Sequence, residues 1–411
     1  MLRETLARLG RMQQFAALRH RGFRLLWIAT VLSSTARWAD VVVLGWLTLV
    51  LTDSALMVGI VAGCKMAGYV TAPFMGVVAD RMDRRGLLII ASLVNLVVSA
   101  VMLLLFVSGW LALWHVITLA LVSSLTWALD NPARQAMVPD LVEGEDVTNA
   151  VALNAVAVEI TVVIGPALGG ILIPTLGMGG AYALIAGIYL VDVVVLLLLK
   201  GVKQARPHVH ESPARSLIGG LSYVRGNQIV LMLLVIAFLL NLFAAPYRYA
   251  FLPVFSRYVL DAGPTGYGML TATAGFGALV AGLWVVSLGN FKRKGKLLVW
   301  SGLAWPASLL LFALSTWYFF SLLLVFVAGF TQAIAWTVIA TLILGNTTPP
   351  MRGRVMGLRT GVVVSLPFGN FLAGAAAERF GAPLAQGAYA LSAIVMMLGI
   401  VLLVPSLYRS E

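Results

Sequence analysis

The sequence predicts an all-α membrane protein in which twelve transmembrane helices form two pseudo-symmetric halves of six. Three observations carry this prediction. Hydrophobic residues make up 61% of the 411 residues and charged residues only 11%, whereas a soluble domain has about a quarter charged residues. Twelve apolar runs are long enough to cross about 30 Å of hydrocarbon. The longest polar stretch, 200–227, divides these runs into six and six.

Each predicted span is an apolar run between polar connections, and its length sets its bounds. The spans lie at 23–51, 55–79, 87–108, 111–130, 147–174, 180–199, 228–253, 266–288, 297–315, 317–345, 355–377 and 383–405. They divide the chain into an N-terminal segment (1–22), an N-terminal six-helix bundle (23–199), a central loop (200–227), a C-terminal six-helix bundle (228–405) and a tail (406–411).

Basic residues fall almost entirely on one side of the predicted membrane. All Lys and Arg residues but five lie in the N-terminal segment, the central loop, the tail, the loops of that same side and the adjoining ends of spans one and eleven. Because cytoplasmic loops are enriched in Lys and Arg, both termini and the central loop are predicted to be cytoplasmic. This asymmetry explains the net charge of +12 without nucleic acid as a partner. The five exceptions are Arg37 and Lys65 within spans and Arg248, Arg257 and Arg379 at the opposite face.

The loop after span two has the pattern Gly-x-x-x-Asp-Arg-x-x-Arg-Arg, formed by Gly76, Asp80, Arg81, Arg84 and Arg85. Glycine lets two helix ends approach closely, and opposite charges form contacts in one conformation that break in another. Between two spans, this pattern resembles the signature loop of the major facilitator superfamily, whose fold has two six-helix halves. A basic loop that obeys the positive-inside rule is the alternative. A degenerate copy, Arg293-Lys294-Gly295, follows span eight, as an internal repeat predicts.

Span five contains a second motif, formed by Gly165, Pro166, Gly169 and Gly170. Proline removes an internal hydrogen bond and permits a kink, and the glycines let another helix pack closely. The motif resembles the fifth-helix signature of drug–proton antiporters, which are exporters. Generic helix packing is the alternative, because Gly and Pro are common in membrane helices.

Charged residues flank spans four and eleven on the cytoplasmic side: Asp130 and Arg134 at the end of span four, and Arg352 and Arg354 before span eleven. With the span-five motif, these stretches resemble the drug and siderophore efflux branch that includes macrolide pumps and the enterobactin exporter. We expect a cytoplasmic gate, in which the start of span eleven is latched in the outward-open state by Asp80, Arg81, Arg84 and Arg134.

Charged residues inside spans are costly and functional by default. Asp40 and Glu159 are the candidates for proton coupling, since no histidine lies at mid-membrane and a carboxyl group must then carry the proton. We expect Arg37 to pair with Asp40 and Lys65 with Glu159. A permanently paired structural network of these same residues is the alternative. The superfamily resemblance makes span six peripheral, which ranks Asp192 lower.

Large aromatic and amide side chains on spans one, four, seven and ten suit a cavity for a bulky amphipathic molecule. The superfamily resemblance implies that these four spans line the cavity. The same aromatics fit helix packing or an interfacial belt equally well. The predicted cavity residues are Trp38, Trp46, Trp127, Asn241, Gln332 and Trp336.

Together, these patterns predict a proton-driven exporter of a small organic molecule in a bacterial inner membrane, acting as a monomer by alternating access. No ATP site, cofactor or catalytic centre is predicted, and His208-Val-His210-Glu211 reads as a solvated loop rather than a metal site. An uptake symporter or a lipid translocator on the same fold is the alternative. A membrane-embedded enzyme or a sensor is more remote. The sequence does not name the transported molecule.

Overall fold

A computed structural model describes residues 13–71, 83–142, 144, 146–199, 213–289, 292–405 and 408. Throughout these residues the chain is helical, without β-strands. Ten helical segments within them are long and apolar enough to cross a membrane. The chain is therefore built as a multi-pass membrane protein.

The helices follow the predicted spans closely. Spans one to four correspond to α1 to α4; spans five and six share α5; span seven is α7 with α8, and span eleven is α12 with α13. Helix α6 belongs to the predicted central loop. The helices are α1 (Arg21–Thr52), α2 (Ala55–Met66), α3 (Arg84–Val107), α4 (Leu113–Met137), α5 (Asp146–Leu198), α6 (Pro213–Gly226), α7 (Gln228–Phe243), α8 (Phe251–Tyr258), α9 (Gly263–Ser287), α10 (Lys294–Leu314), α11 (Tyr318–Gly345), α12 (Arg352–Val362), α13 (Ser365–Phe380) and α14 (Ala382–Leu403).

Helix α5 consists of two arms that run in opposite directions. Gly177 has a φ of +70°, which glycine adopts without steric cost. Ala150 and Leu196 belong to one buried cluster, although a straight helix would separate them by about 70 Å at 1.5 Å per residue. The chain therefore turns back at Gly177, between the predicted spans five and six.

Helix α4 continues seven residues beyond the predicted end of span four. The prediction ended the span at Asp130, where the apolar run gives way to a polar stretch that contains Pro132. In the structure Pro132 lies inside the helix, which ends at Met137. Asp130 is buried within the protein and is neutralised there by two arginines, so its charge does not require the helix to end.

The helix ends lie on two faces of the molecule. We call the face that contains the start of α1, the end of α4 and the start of α7 the proximal face. The opposite face, which contains the connections 53–54, 259–262 and 381, is the distal face. Polar contacts on the proximal face join helices of the same half: His20 lies 3.0 Å from Asp146, and Asn227 donates to the carbonyl oxygen of Asn346 at 2.9 Å.

The two halves, α1–α5 and α7–α14, meet through two close helix crossings near the distal face. A methyl group at Gly170 on α5 would lie 2.8 Å from the Cα of Gly268 on α9. One at Gly59 on α2 would lie 2.7 Å from the Cα of Gly374 on α13. Such backbone approach requires glycine, as at small-residue contacts between membrane helices. The crossings hold the halves together on the distal side of the cavities described below.

Candidate substrate and coupling site

The first cluster of charges joins four helices of the N-terminal half. Arg37 on α1 donates to Asp130 on α4 at 2.7 Å, and Asp130 also accepts from Arg134 at 2.9 Å. Nη2 of Arg134 lies 3.7 Å from Asp192 on the second arm of α5. Asp192 accepts a 2.6 Å hydrogen bond from Ser92 on α3. We call these five residues the buried network; its alternating charges compensate one another where water is excluded.

A second charge cluster lies about one turn further along α1. Nζ of Lys65 on α2 donates to the carboxylate of Asp40 and, at 2.7 Å, to the hydroxyl of Ser123 on α4. Both charged side chains are largely buried. This pair therefore ties α1 to α2 and α4, and it presents the ammonium group of Lys65 to a neighbouring cavity.

The predicted pairing of the intramembrane charges was wrong in its partners. Arg37 pairs with Asp130 instead of Asp40, and Lys65 pairs with Asp40 instead of Glu159. Arg37 and Asp40 lie on neighbouring turns of α1, and each has an opposite charge from another helix within reach, Asp130 on α4 and Lys65 on α2. Glu159 faces the C-terminal half, because the first arm of α5 packs between α1 and α9.

The predicted gate residues lie in several environments. Gly76, Asp80 and Arg81 fall outside the described residues, as do His208 and His210. The structure places Arg134 in the buried network rather than at the proximal surface, with 4% of its side chain exposed. The prediction placed Arg134 beyond the end of span four. Helix α4 continues to Met137, so Arg134 lies one turn after Asp130 on the same buried side of the helix.

The other basic residues of the predicted gate contact their own half. Arg84 donates to Asp140 at 2.5 Å, and Arg85 donates to the carbonyl oxygens of Leu196 and Leu197. In the C-terminal half, Arg352 donates to the carbonyl oxygen of Thr347 at 3.4 Å, and Arg354 lies against Gly219 on α6. None of these contacts joins the two halves, so the expected latch between them stays a prediction.

A cavity of about 620 Å³ separates the two halves and contains Glu159. Its lining runs from Ala152 on α5, near the proximal face, to Val162, about 15 Å deeper along the helix. The cavity belongs to the size class of small-molecule sites. It includes three of the predicted cavity residues, Trp38, Gln332 and Trp336.

Arg248 contributes the positive charge of this cavity, although it was predicted at the outer face. The predicted span seven breaks at the 3₁₀ turn Ala245–Arg248, because Pro246 has no N–H group to continue the helix. The turn directs Arg248 inward, where 8% of the residue is exposed. Pro246 beside a single arginine in an apolar run is the sequence signal that could have identified this residue.

The guanidinium group of Arg248 forms its hydrogen bonds through Nη2. It donates weakly to the hydroxyl of Tyr247 at 3.4 Å and to Oε1 of Gln332 at 3.5 Å. It also lies 6.0 Å from the ring of Trp38 and 5.9 Å from the ring of Tyr247, within the range of cation–π attraction. Its Nε is buried without a hydrogen-bond partner in the described residues.

The remaining predicted cavity residues lie elsewhere. Trp127 lines a second cavity of about 230 Å³ with Lys65, and its ring lies 5.5 Å from the guanidinium group of Arg37. Trp46 and Asn241 are buried among packed helices and line neither of these two cavities. Packing, the alternative considered for the aromatics, therefore describes Trp46.

The motif of span five packs at the junction of three helices. Methyl groups at Gly165 and Gly169 would meet α1 at 2.5 Å from Cβ of Trp38 and 2.6 Å from the carbonyl oxygen of Ala39. Gly170 faces α9 instead. Through Gly165 the motif positions Trp38, which lines the cavity. Through Gly170 it forms the contact between α5 and α9 near the distal face. Both the packing interpretation and the antiporter interpretation remain compatible with this position.

We expect Gly170→Val to destabilise the protein by about 1–3 kcal/mol, because the new side chain forces α5 away from α9. Gly187→Val in the same helix is the matched control, since a methyl group at Gly187 meets nothing within 4 Å. Thermal unfolding in detergent, followed by circular dichroism, measures both variants. Equal unfolding temperatures for the two would contradict the close crossing.

Comparison with known proteins identifies the family. The profile of a family described as transmembrane secretion effectors (MFS_3) matches residues 12–409. The chain belongs to this family. Its relatives include the enterobactin exporter EntS of Shigella boydii serotype 18 (strain CDC 3083-94 / BS512) and that of Escherichia coli O1:K1 / APEC. Each is 26% identical over 320 residues, which cover 76% of this chain and 72% of the relative. Family and relatives are transporters, not enzymes.

Solved structures of major facilitator-like transporters share the fold. The nucleoside transporter NupG has a TM-score of 0.74 at 14% identity, covering 95% of this chain and 100% of its own. A bacterial homologue of the human lysosomal transporter Spinster, solved inward-facing and unoccupied, has a TM-score of 0.67 at 13% identity, covering 95% of this chain and 96% of its own. The family profile over residues 12–409, together with this shared fold, confirms the resemblance to the major facilitator superfamily.

Proposed function

We propose that this protein is a proton-driven exporter of small organic molecules that works by alternating access. The proposal includes twelve spans with both termini in the cytoplasm of a bacterial cell, the protein acting as a monomer in the inner membrane. The observation that carries it is the cavity between the halves, in which Glu159 and Arg248 face a space of about 620 Å³. Membership of a family with exporter relatives supports the outward direction.

The contacts between the halves support an inward-open conformation. On the distal face, Arg257 lies 2.8 Å from Asp53, and the hydroxyl of Tyr258 lies 2.5 Å from the same carboxylate. Glu378 accepts from the hydroxyl of Ser54 at 3.1 Å. With the two glycine crossings, these contacts close the distal face. In the proposed orientation, the cavity then communicates with the cytoplasm.

Two carboxyl groups remain the candidates for proton coupling. Asp40 already accepts from Lys65, so its release requires that this pair separates. Glu159 lies on the cavity wall, where a proton and a substrate can reach the same group. This accessibility favours Glu159 as the proton carrier. Asp40 is then the group that links Lys65 to the movement of α1. The proximal latch through Asp80 completes the proposed cycle.

The distal contacts must open once in each transport cycle. We expect a cross-link between Asp53→Cys and Arg257→Cys, made with a bifunctional methanethiosulfonate in a Cys64→Ser background, to stop nearly all transport. Reduction of the cross-link is expected to restore it. Each single-cysteine protein with the same reagent is the control. Full transport by the cross-linked protein would show that the distal face does not open there.

Counterflow in proteoliposomes tests whether the protein transports a small organic molecule across the membrane. Purified protein is reconstituted with unlabelled dansylcadaverine or Nε-dansyl-lysine inside, and the entry of the radiolabelled compound is followed. We expect transient accumulation of label above its equilibrium level with at least one of the two. The same vesicles without protein are the control. No counterflow by either probe would contradict the proposed transport of such molecules.

A further inference from the structure

The opposite charges of the large cavity do not contact each other. Glu159 and Arg248 both line it and attract each other through space. In the described residues, no ion pair within 4.0 Å and no hydrogen bond joins their side chains. The carboxylate of Glu159 thus keeps its acceptor positions, and the guanidinium group of Arg248 keeps an unpaired Nε–H. The cavity presents one anionic and one cationic group to whatever it binds.

The walls between these charges are aromatic and aliphatic. Trp38 and Trp336 supply ring surface, and the ring of Trp336 is braced by Trp305 at a centroid distance of 6.1 Å. Val162 and Leu279 add aliphatic surface. Such walls favour a flat apolar body, while the two charges fix its orientation.

The charge balance discriminates between ligand classes. An organic acid bound to Arg248 would place a second negative charge beside Glu159. An amine bound to Glu159 would place a second positive charge beside Arg248. Like charges in a cavity of low dielectric repel strongly. A molecule that carries both an acid and an amine satisfies both residues and leaves the cavity neutral.

We propose that the cavity binds an amphoteric aromatic molecule, with its acid group on Arg248 and its ammonium group on Glu159. This inference rests on the proposed export function and names its substrate class. It also connects binding to protons, because a proton on Glu159 removes the partner of the ammonium group. Proton and substrate then compete for one carboxylate, as antiport requires.

Three dansyl compounds with the same body test this class. Nε-dansyl-lysine carries both charged groups, dansylcadaverine lacks its carboxylate, and N-dansyl-6-aminohexanoic acid lacks its amine. Binding to purified wild-type protein at pH 7.5 is measured by the increase of dansyl fluorescence. We expect the amphoteric compound to bind about tenfold more tightly than either relative, as for the loss of one charged hydrogen bond. Equal affinity for it and for either relative would overturn the proposal.

Two variants assign the groups. In Glu159→Gln the amphoteric compound is expected to lose its advantage over the acid, and in Arg248→Gln its advantage over the amine. Asp146→Asn, which removes a carboxylate that contacts His20 on the proximal face, is the control and should keep the wild-type ranking. An unchanged ranking in both cavity variants would contradict the assignment. If a cavity variant does not fold, the wild-type ranking still decides.

The outcome separates this inference from the proposed function. The predicted ranking without counterflow would refute transport but keep the ligand class. Counterflow of dansylcadaverine with no preference for the amphoteric compound would keep transport and refute the ligand class.

Discussion

Replacing Asp130 by alanine is expected to lower the free energy of unfolding by about 3–5 kcal/mol, because the change leaves buried positive charge uncompensated. Asp130 is the only carboxylate of the buried network that bonds to both Arg37 and Arg134. These two side chains are 14% and 4% exposed, so water replaces little of the lost contact. Thermal unfolding of the detergent-solubilised protein measures the effect.

The control for this prediction is a carboxylate contact that is partly exposed to water. Asp146 and His20 lie 3.0 Å apart, each with about a third of its side chain exposed. Asp146→Ala is expected to change stability by less than about 1 kcal/mol. Asp130→Asn, which keeps one hydrogen-bond acceptor, should fall between the two. If Asp130→Ala unfolds at the temperature of Asp146→Ala, the buried network does not stabilise the protein.

Replacing Glu159 by glutamine is expected to abolish accumulation driven by a pH gradient while leaving downhill exchange. The amide has nearly the shape of the carboxyl group but takes up no proton, so substrate movement is no longer tied to proton movement. Proteoliposomes with and without an imposed gradient, supplied with dansylcadaverine or Nε-dansyl-lysine, measure both processes in one preparation, after subtraction of the passive uptake of protein-free vesicles.

Thr337→Val and Asp40→Asn complete this experiment. Thr337 lines the same cavity without a titratable group, so its variant should keep gradient-driven accumulation. Asp40→Asn removes the negative charge beside Lys65 but keeps a hydrogen-bond acceptor there, and it tests the second candidate carboxyl. Gradient-driven accumulation that survives in both Glu159→Gln and Asp40→Asn would refute both assignments.

The sequence predicted the helices well because hydrocarbon thickness sets their length. The turn at Gly177 lies between the predicted spans five and six, and the charged positions Arg37, Asp40 and Lys65 are inside helices as expected. The end of span four was placed too early, at Asp130. The end of an apolar run does not reveal that Arg37 on another helix and Arg134 one turn later neutralise the carboxylate.

The partners of the charges could not be predicted, because they depend on how helices face one another. Arg37 and Asp40 are neighbours on α1, yet they bond to α4 and α2 respectively. Arg248 was assigned to the outer face by counting charges per loop, which ignores a helix that breaks within the membrane at Pro246. Trp38, Gln332 and Trp336 were placed in one cavity by the superfamily resemblance, and they do line one.

The most direct measurement of proton-driven export is transport by wild-type protein in proteoliposomes under a pH gradient of either sign. For molecules with their cytoplasmic face outward, an acidic interior is expected to drive accumulation of dansylcadaverine or Nε-dansyl-lysine above the passive uptake of protein-free vesicles, because a weak base collects in an acidic interior without a transporter. A protonophore should abolish the difference. Equal uptake with and without the gradient, or accumulation only with an alkaline interior, would contradict proton-driven export. The second of these results would identify an uptake symporter.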